Sequence, residues 1–210
     1  MSNARQLYAW IEEGEHDRQD FKETISSSKK IAKTIGSFAN TRGGRILVGV
    51  RDNKAIRGIK VDEEQHMLDA AASFFCKPAV PLQYERIEIG MKQVLVAHVP
   101  EVPQKPIYSL GDDEQWWAYI RVADKSLLAS KTVLDVIRRE QKGSNSLIEM
   151  GSKETGLLKY LGENERITLK QFCKLMNISP WRARKILVNL ITAGVIRVHT
   201  TEKAEFYTLS

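Results

Sequence analysis

The sequence predicts a mixed α+β domain followed by a smaller domain of three helices and a β-hairpin. Three observations carry this. Between residues 1 and 142 the apolar spacing switches repeatedly between helical and strand periods. Residues 141–152 are rich in Gly, Ser and Asn, the composition of a linker. Beyond them, apolar positions recur at helical spacing three times and then fall into two short strand-like runs. The expected domains are therefore 1–142 and 152–210.

Each element follows from its residues. Residues 3–13, with Leu7, Tyr8, Trp10 and Ile11, predict a helix, and Phe21 sits in a short strand. Ile31, Ile35 and Phe38 recur at i, i+4, i+7, so 29–39 predicts a second helix. Arg45 to Val50 is a β-branched, apolar run, expected as a strand buried on both faces. Asp52-Asn53-Lys54-Ala55 is a turn, and Ile56 to Ile59 a short returning strand. Val61 to Phe75 predicts a helix whose first turn holds Asp62, Glu63 and Glu64, placed to suit the helix dipole; Pro78 and Pro81 end it. Strands are expected at Gln83–Ile89, Gln93–Val99, Lys105–Tyr108 and Trp116–Val122, and Thr132–Arg139 closes the domain as a helix. In a strand, Trp116 and Trp117 point to opposite faces, one to the core and one outward.

In the C-terminal part, Lys153–Leu161 predicts one helix and Thr168–Met176 a second, capped by Thr168. Asn177-Ile178-Ser179 is a tight turn. Ser179 caps a third helix with Pro180 at its first position, where a missing N–H costs nothing. Ala183, Ile186, Leu187, Leu190 and Ile191 form its buried face, and Ala193-Gly194 stops it. Val195–Thr200 and Phe206–Leu209 make a hairpin around Glu202-Lys203-Ala204. This order is a winged helix-turn-helix. Its third helix would offer Trp181, Arg182, Arg184 and Lys185 to DNA, with Lys203 at the hairpin tip near a phosphate. The alternative use is protein docking, which an exposed Trp181 also suits.

The chain has 210 residues, 42% hydrophobic and 28% charged, ordinary for a folded soluble protein. No apolar run approaches the ~20 residues of a membrane span, and the acidic N-terminus does not read as a signal peptide, so a cytoplasmic protein is expected. Net charge is +6. Residues 143–210 hold 10 basic and 6 acidic side chains against 22 and 20 before them, so most of the excess lies in the smaller part. That balance favours a polyanionic partner. Cys76 and Cys173 are expected as buried reduced thiols. The four histidines make no zinc spacing.

Two motif groups stand out. Glu15 precedes Asp20-Phe21-Lys22, and Phe38-Ala39-Asn40-Thr41 precedes Gly43-Gly44, a strand ending Gly49-Val50, and Asp52. With Ile120-Arg121-Val122 running to Ala129-Ser130, this order resembles the Schlafen-type AlbA-like domain, a nucleic-acid-binding family, over about residues 10–140. Asp20 stands where the family carries Glu. The resemblance implies an α+β fold and nucleic acid as partner. Arg42, Arg45, Arg51, Lys54 and Arg121 are the expected contacts of the first domain. In some relatives the motif acids serve a metal-dependent endoribonuclease; here those positions are Glu15, Asp20 and Asp52. Three converging carboxylates hold Mg²⁺ or Mn²⁺, which activates water and neutralises phosphate charge. Lys22, on the same strand face as Asp20, would steady the phosphate. The competing reading is structural: acids at strand ends cap turns or pair with Arg18, Arg42, Arg51 and Arg57. Gly43-Gly44 also has two readings, a sharp turn after the helix or a close approach to phosphate. Asn40 would bond neighbouring backbone in that turn. The chain has no Gly-x-x-x-x-Gly-Lys-Ser/Thr loop, so no ATP use is expected. The readings are a DNA-binding transcriptional regulator, homodimeric and favouring DNA over RNA; a Mg²⁺- or Mn²⁺-dependent nuclease; and a protein-interaction adaptor.

Overall fold

The structure, a computed structural model, describes residues 3–143 and 150–210. The chain divides into two compact units, Met1–Leu128 and Ala129–Ser210.

The first unit opens with α1 (Asn3–Glu13), β1 (Gln19–Lys22), α2 (Ser28–Asn40) and β2 (Gly44–Val48). Then come α3 (Val61–Phe74), β3 (Cys76–Lys77), β4 (Gln83–Ile89) and β5 (Lys92–Val99). β6 (Tyr108–Leu110), β7 (Trp116–Val122) and β8 (Lys125–Leu128) complete it. The strands form two four-stranded sheets, ordered β1-β2-β5-β4 and β3-β6-β7-β8. β1 and β2 are parallel and α2 makes the crossover between them.

α2 packs against strands of both sheets. Ile31, Ile35 and Phe38 join Ile46, Val48, Leu95 and Ala97 in one core with α3. The other side of α2 is small and polar. Ser109 donates to Ala32 O at 2.9 Å, and the hydroxyls of Ser37 and Ser126 meet at 2.8 Å. Every residue from Ile31 to Asn40 except Lys33 is buried. A helix buried so fully needs short side chains where the second sheet approaches, and a Cβ on Gly36 would collide with Ser109 Oγ. The far face of the first sheet is covered by α1, whose Leu7 and Ile11 meet Phe21, Leu47, Val94 and Val96. β2 is thus buried on both faces, as its unbroken apolar run predicts.

Two expected strands differ. Ile56–Ile59 forms no strand; Ile56 makes an isolated bridge to Val50. The strand expected at Lys105–Tyr108 begins at Tyr108 and runs to Leu110, beyond Pro106, which has no N–H to give a ladder. Trp116 and Trp117 are both partly exposed, at 39% and 40%, so neither ring enters the core as expected. Both thiols are free; Cys76 is buried, and Cys173 only half so.

The second unit contains α4 (Lys131–Gln141), α5 (Ser152–Glu163), α6 (Leu169–Met176), α7 (Pro180–Thr192), β9 (Ile196–Thr200) and β10 (Glu205–Leu209). Leu157, Phe172, Ala183, Leu187, Leu190 and Tyr207 centre its core. Thr168 and Gln171 form a reciprocal capping box on α6, and Asn177 ends that helix at φ 50°. Ser179 Oγ accepts from Arg182 N at 3.3 Å to start α7. The helix expected to close the first domain belongs here instead. α4 packs on α7, and Tyr207 Oη donates to Thr132 Oγ1 at 3.2 Å. The boundary therefore falls at Leu128–Ala129 and not in the Gly/Ser-rich stretch, whose residues 144–149 lie outside the described residues.

Candidate nucleic-acid interface

The turn from α2 to β2 is set by backbone geometry. Thr41 N and Gly43 N both bond Phe38 O, at 3.0 and 2.9 Å, closing the helix. Gly43 has φ +67°, and a Cβ there would stand 2.7 Å from Val99 O. Gly44 passes so close to the Phe38 ring that a Cβ would meet it at 2.7 Å. The turn reading is sufficient for both glycines. The turn also borders a cleft of about 520 Å³, shared with the start of β1 and the end of β5.

Arginines dominate that cleft. Arg18 and Arg42 are exposed, and neither has a carboxylate partner among the described residues; Arg18 Nη2 donates to Arg42 O at 3.3 Å. Arg45 is more constrained. It pairs with Glu13, donates to Gln19 Oε1 at 2.5 Å, and lies 4.6 Å from the Trp10 ring centroid. Burial pulls its pKa below the ordinary value, opposed by Glu13. Strand register assembles the group: Arg45 sits opposite Gln19 on β1 and His98 on β5. Arg18, His16 and His98 were not among the expected contacts. The cue for Arg18 was its place one residue before β1, but only the parallel β1–β2 pairing brings it to the glycine turn.

The acids are arranged differently from the expected trio. Asp20 is buried, its Oδ1 accepting from Arg121 Nη2 at 2.9 Å with side-chain exposures of 2% for Arg121 and 5% for Asp20. Its Oδ2 faces Lys22 Nζ at 2.5 Å, but out of line for a hydrogen bond. Glu15 accepts from Phe21 N at 2.9 Å. Loss of solvation and the nearby Asp20 charge raise the Glu15 pKa; the Phe21 N–H and Lys22 oppose this. Glu15, Asp20 and Lys22 are therefore brought together. Asp52 lies in the exposed turn after β2, and no three His, Cys, Asp or Glu side chains gather to hold a metal among the described residues. With both Asp20 oxygens facing cations, the carboxylates as placed do not fit a Mg²⁺ or Mn²⁺ centre.

Arg121 is a correction. Expected as a nucleic-acid contact, it is a buried structural cation. Besides Asp20 it donates to Gln19 O at 3.2 Å and lies 4.8 Å from the Phe38 ring centroid. Its place on β7, facing α2, takes it out of solvent. Asn40 is a second one. Its side chain does not serve its own turn but reaches across to the residue before β6 and to β7: Nδ2 donates to Ile107 O and Tyr119 O, at 2.8 and 2.9 Å, and Oδ1 accepts from Ile107 N at 2.6 Å. Of the remaining expected contacts, Arg51 pairs with Glu23 at 3.1 Å, and Lys54 donates to Glu12 O at 2.9 Å.

In the second unit, Trp181 is 68% exposed, and Arg182, Lys185 and Lys203 are also exposed. Arg184 is half-buried. The C-terminal half of the same helix face is not open. Val188 is buried and Asn189 accepts from Arg139 of α4. Only the first two turns of α7 remain available.

Two sheets around a shared helix, with an arginine-bearing cleft at the helix-to-strand turn, define a mixed α+β domain. Residues 15–130 match the Schlafen AlbA_2 family, and the chain belongs to it. Two solved structures are similar. One is the DIP2311 protein from Corynebacterium diphtheriae, at 19% identity and a TM-score of 0.45. The match covers 71% of this chain and 35% of that one, so the chain spans about a third of its length. The other is the N-terminal domain of a RecG-related protein from Nitrosomonas europaea, at 19% identity and a TM-score of 0.43, covering 71% of this chain and 96% of that one. Among the described residues no helix is long and apolar enough to cross a membrane.

Proposed function

We propose that this protein binds nucleic acid, DNA in preference to RNA, and acts as a homodimeric, cytoplasmic transcriptional regulator. The carrying observation is the cleft at the α2–β2 turn, where Arg18 and Arg42 stand exposed beside Arg45 with no carboxylate partner among the described residues. Exposed guanidiniums beside a close-passing backbone suit phosphate oxygens. In the second unit α5, α6, α7 and the β9–β10 hairpin form a winged helix-turn-helix. Trp181, Arg182, Arg184 and Lys185 meet the major groove and Lys203 a flanking phosphate. That use favours duplex DNA, because the major groove of RNA is too deep and narrow to read. Binding of this kind requires neither metal nor ATP.

Duplex affinity measured against salt tests the reading. Each phosphate contact contributes about 0.9 to the log–log slope, so Arg18→Ala with Arg42→Ala lowers the slope by about 2. Arg182→Ala and Lys185→Ala weaken binding if α7 reads the groove. A flat salt response in the parent protein refutes the reading and leaves the protein-docking adaptor.

A second reading, a metal-dependent nuclease, starts from Glu15, Asp20 and Lys22 lying together at β1, and it requires Asp20 to leave Arg121 and Lys22 before the acids can take a metal. Incubation of tRNA, single-stranded RNA and duplex DNA with Mn²⁺ or with chelator tests it. Absence of metal-dependent cleavage sinks it, and cleavage persisting in Asp52→Ala removes Asp52 from the site.

A further inference from the structure

The face of α7 that a winged helix turns toward DNA is half covered by α4, and the two helices leave a cleft of about 510 Å³ between them. That volume lies within the range of small-molecule sites. Each wall is one helical stripe. Along α4 and its cap it runs Asp135, Arg138, Arg139, Lys142, at i, i+3, i+4, i+7, and on α7 Trp181, Arg184, Lys185, Val188, Asn189, which continues the same spacing to i+8.

The stripes differ along their length. At the inner end Arg139 bonds Asn189, and Arg138 pairs with Asp135 at 3.3 Å, so these charges are engaged. Val188, 6% exposed, supplies an apolar floor. Toward the outer end lie Lys142, Arg184 and Lys185, with no carboxylate partner among the described residues. Arg184 Nε is buried and has no hydrogen-bond partner among the described residues. Trp181 stands at the rim, and the Lys185 ammonium lies 5.6 Å from its ring centroid. From Trp181 to Asn189 is eight residues, about 12 Å along the helix.

We infer that this cleft binds a nucleoside phosphate, free or at the end of a single strand. The base stacks on Trp181, as bases do on exposed aromatic rings. The phosphates take the Arg184 and Lys185 cations at the cleft wall. A bare anion would leave the ring and the Val188 floor unused, and an uncharged aromatic would leave the cations unneutralised. The ligand lies on the α7 face that duplex DNA would need, so the two compete.

Calorimetry on the full chain decides this, with adenosine and guanosine 5′-diphosphates, pyrophosphate, adenosine, and a 5′-phosphorylated hexathymidylate. Saturable binding of a diphosphate or the strand is expected, at least tenfold tighter than pyrophosphate or adenosine. A strand more than tenfold tighter than both diphosphates identifies a strand end as the source; the reverse identifies a free nucleotide. Trp181→Ala and Lys185→Ala, both at exposed positions, each weaken binding at least fivefold, while circular dichroism confirms an unchanged fold. No saturable binding of these probes, pyrophosphate binding as tightly, or unchanged affinity in both variants overturns the inference. Binding without loss of duplex affinity would instead count against α7 as the DNA-reading helix, so the two readings fail separately.

Discussion

Asn40 ties α2 to the second sheet through three hydrogen bonds, and Asn40→Ala removes all three. The residue is 4% exposed, and its partners are Ile107 O, Tyr119 O and Ile107 N. Alanine leaves two carbonyls and one N–H in the protein interior without a partner. Each orphaned group costs about 1–3 kcal/mol. Taking the low end for all three, to allow for relaxation and entry of water, the loss is about 3 kcal/mol. Against a total stability of roughly 5–15 kcal/mol for a domain, that is a large fraction. Urea denaturation followed by circular dichroism reads it. With a slope of about 1–3 kcal/mol per molar urea, the midpoint of the first unit falls by about 1–3 M. Asn40→Asp keeps the acceptor but loses both donations and buries a charge, so it does no better. Either variant within about 0.5 kcal/mol of the parent protein would refute the argument that these bonds join helix to sheet.

Three further outcomes follow from the same packing. Gly36→Ala gains about 1 kcal/mol of helix propensity but drives a methyl into Ser109 Oγ, where overpacking costs about 1–3 kcal/mol. Thermal unfolding should show net destabilisation, relieved by adding Ser109→Gly; a stabilised single variant contradicts the close approach. Arg121→Met strands the buried Asp20 carboxylate with Lys22 alone and should cost about 3–5 kcal/mol in denaturant titration. A loss under about 1 kcal/mol would show that Lys22 suffices. The Glu15 pKa is raised in the folded state, so that state holds the Glu15 proton more tightly than the unfolded chain does. The resulting stability is present below the unfolded value of 4.5 and is lost as pH rises through the folded value. Glu15→Gln keeps an acceptor for Phe21 N but cannot titrate. Its stability relative to the parent should therefore improve from pH 4 to pH 7, and a pH-independent difference would show that Glu15 is not desolvated.

Much of the fold was legible because local periodicity and capping chemistry act over a few residues. The i, i+4, i+7 pattern of Ile31, Ile35 and Phe38 placed α2. Thr168, Ser179 and Pro180 placed the starts of α6 and α7. What could not be read was the other side of α2. Gly36, Ser37 and Asn40 look like the solvent face of an amphipathic helix, yet they are the face on which a second sheet lies. Short polar side chains serve either setting, and only the position of β6 and β7 distinguishes them. Lys22 was expected on the face of β1 that carries Asp20, because strand alternation is local, and the Lys22–Asp20 contact places it there.

By itself the sequence determined the helices and the longer strands, the glycine turn into a buried strand, the family motif and the excess of positive charge in the C-terminal part. Each of these depends on neighbours in the chain. Tertiary structure decided which charges are available. Arg121 and Arg42 look alike in sequence, but β7 carries one into the interior against Asp20 while the α2–β2 turn leaves the other in water. α4 reads as the end of the first domain until its apolar side is seen to rest on α7. The physical reason is common to these cases: a charge or an apolar stripe acquires its role from what lies across from it, and that partner is set by strand register and helix packing at long range.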